Sequence, residues 1–351
     1  MSFKRLDPED FVISADSVTA PIWSAGAPTL VEFYTSSVQE AGSSGDFYLN
    51  VYQTASDDFN AEVQFAIAYG DKNGSGSFWY NAAVNGASPT RTIYGQYRNL
   101  VLGDEFSDFN FGGVTQTNFI AISVDRNRYK QSILPGTWTL KLDVGGNAIS
   151  LTDNSLVVSS ITFNDAGRVY QIVRGSSGSV DTSFNANGYS STQGSYGLFL
   201  PDIGTLLLNS EALNETIGLL YTVGSNTQGQ SNQYLFNALV DGAGFTMNSQ
   251  ETIASNYIFV RARNAEFNYS ENPSFISGSN GEVTFDSMIN NPQTFPTTIG
   301  LYNDNNELLA VAKLSRPLLK DFTKEALVRV DRKSTRLNSS HEWISRMPSS
   351  A

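Results

Sequence analysis

The strongest constraint in this sequence is a strict alternation of apolar and polar residues over short runs. Trp138, Leu140, Leu142 and Val144 are separated by single polar residues, and the alternation resumes after 145–147, which reads Gly-Gly-Asn. A period of two places the apolar residues on one face of a β-strand. Glycine and asparagine adopt the positive φ angles that tight turns between antiparallel strands need. The segment therefore predicts a β-hairpin with one buried face.

The same alternation recurs along the chain, with Gly, Asn, Ser and Thr between the runs. It marks strands at 47–51, 63–69 and 120–124, and a second hairpin from 299–302 and 308–314 around an Asn-Asp-Asn-Asn turn. Many short strands joined by turns are typical of antiparallel sheets. The predicted fold class is mainly β, with antiparallel sandwich-like domains and a few short helices.

Three segments predict helices. Ser88 can cap a helix whose apolar residues recur at helical spacing as far as Val101, and Gly103 is a suitable stop. Weaker helical patterns cover 233–240, which ends at an Asp-Gly pair, and 211–213.

The last 21 residues, 331–351, have a different character from the rest. Residues 331–341 read DRKSTRLNSSH and resemble, codon by codon, the in-frame translation of a common short-read sequencing adapter. The following EWISRMPSSA resembles the far end of the same adapter. Segments of this kind are excluded from fold reasoning. We therefore expect 331–351 to be a non-native, adapter-derived tail that replaces the last few native residues.

Charge and composition exclude several classes of protein. The chain carries 22 Lys and Arg against 34 Asp and Glu, and it has no Cys. A chain this acidic repels phosphate backbones, so direct binding of nucleic acid is not expected. Its single His, His341, lies in the predicted tail. Without His and Cys, the usual nucleophilic triads, thiolate metal sites and imidazole catalysis are excluded.

Composition also suggests how the chain is divided. Residues 174–195 are poor in aliphatic side chains and rich in Gly, Ser and Asn, as linkers and long loops are. The predicted organisation is an extended N-terminal arm at 1–25, an N-terminal β domain at 26–160, a linker or long loop at 161–195 and a C-terminal β domain at 196–330.

Paired carboxylates are the remaining route to catalysis, as in glycoside hydrolysis. Eight acids are candidates: Asp104, Glu105, Asp108, Asp202, Glu266, Glu271, Asp304 and Glu307. No motif fixes a partner for any of them, and acids in Asn- and Gly-rich turns are normally solvated. No catalytic residue is therefore assigned, and the chain is predicted not to be an enzyme.

Two loops resemble ligand sites superficially. Residues 70–77, GDKNGSGS, lack the Gly-Lys-Ser/Thr order of a phosphate-binding loop, so a hairpin loop is expected. Residues 303–307 collect oxygen ligands but lack the spacing and the glycine of a calcium loop, so a plain turn is expected. No cofactor-binding or metal-binding residue is assigned, and no cofactor is predicted.

Aromatic residues are plentiful in Asn-rich, loop-like segments. Tyr and Trp favour interfaces and also sugar-binding surfaces. A buried core position is the favoured interpretation for any one of them, but the set as a whole indicates an interaction protein. Its members are Phe78, Trp79, Tyr80, Tyr94, Tyr97, Phe106, Phe109, Phe111, Phe267, Tyr269 and Phe275.

Four segments resemble a family of virion structural proteins from marine T-even-like myoviruses, especially cyanophages. They are MSFKRLDPEDFVISADSVTAPIW at 1–23, YGLFLPDIGTLLLNSEAL at 196–213, RNAEFNYSENPSF at 263–275 and TIGLYNDNNELLAVAKLSRPLLKDFTKEALVRV at 298–330. The last is the most specific. The resemblance covers most of residues 1–330, densely after 194 and more loosely before.

The resemblance implies a virion component in the tail, baseplate or neck that works by assembly, and it carries no catalytic residues over. The expected partners are other virion proteins in an oligomeric arrangement, without membrane insertion. No signal peptide or membrane span is recognised, so synthesis in a host cytoplasm and residence in the virion are expected. One alternative is a carbohydrate-binding, host-recognition module of a tail fibre. Another is a polysaccharide depolymerase that uses two acids.

Overall fold

The computed structural model describes residues 5–22, 34–35, 48–52, 59–77, 88–225, 229–270, 275–278 and 280–333, and these are mainly β. The strands are β1 (Phe11–Pro21), β2 (Tyr34–Thr35), β3 (Leu49–Tyr52), β4 (Val63–Asp71), β5 (Phe109–Phe111), β6 (Val114–Gln116), β7 (Asn118–Val124), β8 (Ser132–Ile133), β9 (Thr139–Val144), β10 (Asn147–Asp153), β11 (Thr162–Asn164), β12 (Gly167–Ser176), β13 (Ser179–Val180), β14 (Gly197–Leu200), β15 (Thr205–Leu208), β16 (Gly244–Thr246), β17 (Asn248–Ala262), β18 (Ile276–Ser277), β19 (Glu282–Val283), β20 (Thr298–Tyr302), β21 (Leu308–Lys313) and β22 (Ala326–Lys333). The α-helices are α1 (Pro89–Leu102), α2 (Ser210–Ile217), α3 (Gln230–Gly242) and α4 (Ser287–Asn290).

The chain divides into two compact units. Unit 1 combines Met1–Ser17 with Thr252–Ala351, and unit 2 is Val18–Glu251. This corrects the predicted division into β domains at 26–160 and 196–330. Residues 161–195 do not separate two domains, because they contain β12, which is hydrogen-bonded to β10 on one side and β14 on the other. One sheet therefore continues through the predicted linker.

The main sheet of unit 2 has the strand order β16-β9-β10-β12-β14-β15-β7-β4-β3-β2, with β11 and β13 added beside β12. Neighbouring strands along this order pair antiparallel. The predicted hairpin at 138–151 is confirmed as β9 and β10, which pair from Val144 and Asn147 to Leu140 and Leu151.

One face of this sheet carries the larger core. Along β4, Phe65, Ile67 and Tyr69 point into it, and opposite them on β7 lie Val124, Ile122 and Ile120. The same core includes side chains from β3 and β16, at opposite ends of the strand order, and from helices α2 and α3. A sheet whose end strands share one core with the helices is curled, so unit 2 is sandwich-like.

The other face of the central strands carries a second core under α1. Phe119 and Ala121 of β7 and Leu207 of β15 belong to it, together with Tyr94 and Val101 of the helix. A strand that is covered on both faces has a nearly continuous apolar sequence. This explains Thr205–Leu208, where all four residues are buried.

The predicted helices are confirmed. Helix α1 begins after Ser88, with Pro89 in its first turn, and ends at Gly103, whose φ of 72° is the left-handed conformation that glycine favours at this position. Helix α2 extends the short segment predicted at 211–213, because Asn209 accepts hydrogen bonds from the first free N–H groups. No helix of the described residues is long and apolar enough to cross a membrane.

Unit 1 is made of small antiparallel elements. Strand β17 pairs with β22 from Ser255 and Lys333 to Ala262 and Ala326. The predicted C-terminal hairpin is confirmed as β20 and β21. The predicted arm at 1–25 is corrected in part: over Phe11–Pro21 the chain is extended, but it is a strand hydrogen-bonded to β17. Residues 1–4 and 23–25 lie outside the described residues.

Candidate functional site

Two of the predicted acids are ion-paired. Lys72 Nζ lies 2.7 Å from Asp108 Oδ1, and Tyr94 Oη donates a hydrogen bond to that carboxylate. Arg168 Nη2 lies 2.6 Å from Asp202 Oδ1, and the Arg168 backbone N–H donates to Oδ2. Burial alone would raise the pKa of Asp202, but the hydrogen bonds and the charge of Arg168 outweigh it and lower that pKa. A carboxylate held in its ionised form is a poor general acid.

None of the other described acids is buried. Asp104 is half-buried and accepts hydrogen bonds from the Ser107 hydroxyl and from two backbone N–H groups, which lower its pKa. Glu105 and Asp304 are exposed, Glu266 is half-buried, and Glu271 lies outside the described residues. The structure therefore brings none of the described candidates together into a catalytic carboxylate pair.

The predicted turn at 303–307 is a plain turn. Asn303 Oδ1 accepts the backbone N–H groups of Asn305 and Glu307, and Asn303 Nδ2 donates to Glu307 Oε2 at 2.7 Å. Asn303 Oδ1 and Glu307 Oε2 therefore bond within the turn.

The loop at 70–77, predicted to be a hairpin loop, is bonded by residues at the beginning of α1. Ser88 Oγ donates to Gly74 O at 2.7 Å, and Thr90 Oγ1 donates to Ser75 O at 2.9 Å. The loop is thus tied to the beginning of α1, which is the next described element, and residues 78–87 lie outside the described residues. The second strand expected directly after the loop would fall within 78–87.

Most of the predicted aromatic residues of unit 2 are core residues. Tyr94, Phe109 and Phe119 form a cluster with ring centroids 5.0–5.5 Å apart, and Tyr97 and Phe111 contact it. Phe106 and Tyr269 are instead exposed, and Phe267 and Phe275 are half-buried. Residues 78–80 lie outside the described residues.

Unit 1 has almost no apolar core of its own. Among its described residues, Ile258 is the one buried apolar side chain, whereas Ser255, Thr294, Lys320 and Asp321 are buried and polar. Large apolar side chains are exposed on most of its elements. They are Phe11, Val12, Ile13, Tyr269, Ile276, Val283, Phe285, Ile289, Phe295, Tyr302, Leu308, Leu309, Val311, Phe322 and Leu327. We call this set the unit 1 apolar residues.

A second candidate site in unit 2 was missed by sequence reasoning. Tyr69, Asp71, Asn118, Glu211 and Tyr221 lie together at one end of the larger core, and we call them the Asp71–Glu211 cluster. Asn118 Nδ2 and Tyr221 Oη donate to Glu211 Oε1 at 3.2 and 2.6 Å. Asp71 is the cross-strand partner of Asn118, and the Tyr69 and Tyr221 rings stack at 6.2 Å.

The electrostatics of this cluster are strongly perturbed. Burial raises the pKa of Asp71 despite the backbone N–H groups that its carboxylate accepts. Burial, together with the charges of Asp71 and Glu211, raises the pKa values of both Tyr69 and Tyr221. The sequence contains one signal of this site. Asp71 occupies the next inward position after Phe65, Ile67 and Tyr69, where the alternation predicts an apolar residue.

Two open grooves lie on unit 2. One of about 600 Å³ is lined by Asp125, Arg126, Tyr129 and Asp202 among others. Its one predicted acid, Asp202, is the carboxylate already paired with Arg168. A second groove of about 550 Å³ lies beside Arg174 and Asp181. Neither brings two free carboxylates together.

Comparison with known proteins identifies no relative: no protein-family model, no curated protein and no solved structure matches this chain.

Proposed function

We propose that this chain is a structural component of a bacteriophage virion, in the tail, baseplate or neck, and that it acts through protein–protein assembly. The observation that carries the proposal is unit 1, whose described residues bury one apolar side chain and expose many. Soluble monomers rarely expose large apolar surfaces unless they mark interaction sites. The sequence resemblance to virion proteins supports the same function independently.

The energetics favour a unit that is completed by its neighbours. Covering one Leu, Ile or Phe side chain contributes about 1.5–3 kcal/mol. About five of the unit 1 apolar residues, if fully covered, would therefore contribute a gross free energy of about 8–15 kcal/mol, comparable to a typical domain's own stability of about 5–15 kcal/mol, and association costs part of this gain. The strand order β1-β17-β22 also leaves β1 and β22 without a partner on one side among the described strands, and free strand edges accept strands from other chains.

The partners proposed are neighbouring virion proteins, including further copies of this chain. The proposed location is the particle, after synthesis in the host cytoplasm. The first experiment is quantitative mass spectrometry of purified particles of a phage that carries an intact version of the gene. We expect peptides of this protein at a fixed copy number, a multiple of three, six or twelve, relative to the capsid protein. Its absence from particles would overturn the proposal.

A matched pair of variants tests whether unit 1 carries the assembly. Leu309 and Val311 are both exposed residues of β21. Leu309→Asp with Val311→Asp should prevent incorporation into particles without unfolding unit 2. Val157→Asp is the control, because Val157 is equally exposed but lies in unit 2. Equal incorporation of both variants would contradict an assembly role for this hairpin.

The two alternatives predict other outcomes. A carbohydrate-binding module of a tail fibre would bind host glycans through exposed aromatic residues such as Phe106 or Tyr269, and glycan-array binding lost on substitution of either would favour it. A depolymerase would release reducing sugar. The buried Asp71 is poorly placed for this reaction, because a glycosidase acid must reach the glycosidic oxygen of a bound sugar.

A further inference from the structure

The Asp71–Glu211 cluster contains two carboxylates without a cation. Asp71 is 6% exposed, and its carboxylate accepts the backbone N–H groups of Asn73, Gly74 and Ser75. Glu211 is half-buried and accepts hydrogen bonds only from Asn118 and Tyr221. The ion pairs of the described residues involve neither acid. Buried charges are normally paired or bound to a metal ion, so the cluster lacks positive charge.

Two further polar atoms in the cluster lack partners. Tyr69 is 1% exposed and Asn118 is 6% exposed, yet Tyr69 Oη and Asn118 Oδ1 form no hydrogen bond. A buried polar atom without a partner costs about 1–3 kcal/mol, and each one requires an explanation such as a bound water or ion. The Asn118 amide is fixed beside Glu211 by its Nδ2 and stands opposite Asp71 on the neighbouring strand. Its free oxygen is therefore buried on a residue that neighbours both acids.

We propose that Asp71, Asn118 and Glu211 bind a calcium ion. The available ligands are all oxygen atoms, which Ca²⁺ accepts in flexible geometry with six to eight ligands, whereas Mg²⁺ demands a near-ideal octahedron. A divalent ion balances the two carboxylate charges. It also gives Asn118 Oδ1 a partner and leaves the Tyr69 hydroxyl free to donate to a carboxylate or a bound water. The described residues hold no group of three or more acidic, His or Cys side chains, so neutral oxygens and water complete the shell.

The ion would connect three parts of unit 2. Asp71 ends β4 and opens the loop tied to α1, Asn118 begins β7, and Glu211 lies in the first turn of α2. These residues are far apart in sequence, with Asn118 and Glu211 separated by 93 positions. Bound calcium therefore stabilises the folded unit and has little affinity for the unfolded chain. The proposal does not depend on the assembly function, because all of its residues are in unit 2.

The test uses the full chain, stripped with EGTA and dialysed. Calcium is counted by mass spectrometry of the metal after gel filtration in CaCl2, with one ion per chain expected. Thermal unfolding in CaCl2, compared with NaCl of equal ionic strength, should show a melting temperature about 5–10 °C higher when calcium exceeds its Kd a hundredfold. Terbium, a luminescent substitute for calcium, should be excited through Tyr69 and Tyr221 and be displaced by CaCl2.

Matched variants distinguish calcium binding at this cluster from non-specific calcium binding to the acidic protein. Asp71→Asn and Glu211→Gln should each lower calcium affinity about tenfold or more, because affinity follows the charge of the ligands. Asp104→Asn is the control for the first, since Asp104 also accepts backbone N–H groups in a turn but lies outside the Asp71–Glu211 cluster and is less buried than Asp71. Glu215→Gln is the control for the second, since Glu215 lies on the same helix and bonds to Thr192. Both controls should bind calcium as the wild type does.

Three results would contradict the proposed calcium site. Less than a tenth of an ion per chain at millimolar CaCl2, with no change in melting temperature, would overturn the proposal even if the variants did not fold. So would calcium binding that Glu215→Gln weakens as much as Glu211→Gln does. Binding of Mg²⁺ in preference to Ca²⁺ would overturn the assignment of the ion.

Discussion

The rings of Phe65 and Phe245 meet edge to face, with centroids 5.5 Å apart and planes at 88°. Phe245 lies on β16, the first strand of the main sheet's order, and Phe65 lies on β4, the eighth. Strands that far apart in a flat sheet cannot touch, since neighbours are about 4.8 Å apart. The contact therefore closes the curled sheet of unit 2 around its larger core.

Truncation of this contact should destabilise unit 2. Phe245→Ala removes a fully buried ring and leaves a cavity between the two ends of the sheet, and we expect a loss of about 3–5 kcal/mol in the free energy of unfolding. Urea denaturation followed by near-ultraviolet circular dichroism measures it. Phe106→Ala is the control, because Phe106 is 88% exposed, and should change stability by less than about 0.5 kcal/mol. Equal losses for both variants would show that the curled sheet does not depend on this contact.

Much of the fold could be predicted because its signals are local. The alternation around Leu140 and Leu142, the Gly-Gly-Asn turn, and Pro89 and Gly103 at the two ends of α1 each lie within a few residues of what they determine. The Ser88 side chain does not cap the helix and donates to Gly74 O instead. Turn chemistry and side-chain periodicity act on neighbouring residues. Both hairpins and the three helices could therefore be predicted from the sequence.

The division into units and the candidate site were not predictable, because they depend on distant pairings. Residues 174–195 have the composition of a linker, but Arg174 N bonds to Gly188 O and Ser195 N to Phe111 O, which hold the segment against the sheet. Composition does not distinguish a free loop from one whose backbone groups are satisfied. In the same way, the contact of Asn118 with Glu211 is visible only once the sheet has formed.

Lys320 is expected to organise unit 1 in place of an apolar core. The side chain is 1% exposed, and its Nζ donates to Asn264 O, Asn268 Oδ1 and Asp321 O at 2.8–3.0 Å. Lys320→Met removes a buried donor from three acceptors, of which Asp321 O is the buried one, and should destabilise unit 1 by about 2–3 kcal/mol. Faster proteolysis within 264–268, mapped by mass spectrometry, is the readout.

Lys324→Met provides the matched control for that substitution. Lys324 is 56% exposed and lies 3.6 Å from Asp321, a surface pair worth at most about 1 kcal/mol. Its cleavage pattern should match that of the wild type. If Lys320→Met were no more sensitive to protease than Lys324→Met, the buried ammonium group of Lys320 would not be what orders residues 264–268.

The Arg168–Asp202 ion pair predicts a defined pH dependence. Because the pKa of Asp202 is lowered from 3.8 in the folded chain, the unfolded state takes up its proton at a higher pH than the folded state does. The contribution of Asp202 is therefore complete above pH 3.8 and is lost as the pH falls through the folded pKa. Urea midpoints measured from pH 2.5 to 6 should fall more steeply for the wild type than for Asp202→Asn. Arg168→Met should reduce the slope in the same way, and three parallel profiles would contradict the prediction.

The adapter interpretation of 331–351 is tested by shortening the chain. Strand β22 extends through Lys333, and Asp331 pairs with Tyr257 of β17. A chain ending at Lys333 should keep the full β circular dichroism signal and be at least as soluble as the 351-residue chain. A chain ending at Val330 should also fold, with a loss of about 1–2 kcal/mol from the shortened edge ladder. Collapse of the β signal on removal of 334–351 would show that the tail belongs to the fold.

The contrast between the units predicts two classes of hydrogen exchange. Amides of β7, which pairs with β4 and β15 and is covered on both faces, should exchange only through global unfolding of unit 2. Unit 1 has one buried apolar side chain among its described residues. The amides of β20 and β21 should therefore exchange at least about a hundredfold faster, through local opening.

Native-state exchange with mass spectrometry compares peptides 118–124 and 298–313 in the isolated protein and in assembled particles. If unit 1 is completed by neighbouring chains, the 298–313 peptide gains protection in the particle while the 118–124 peptide is unchanged. Equal protection of both peptides in the isolated protein would mean that unit 1 is stable without partners.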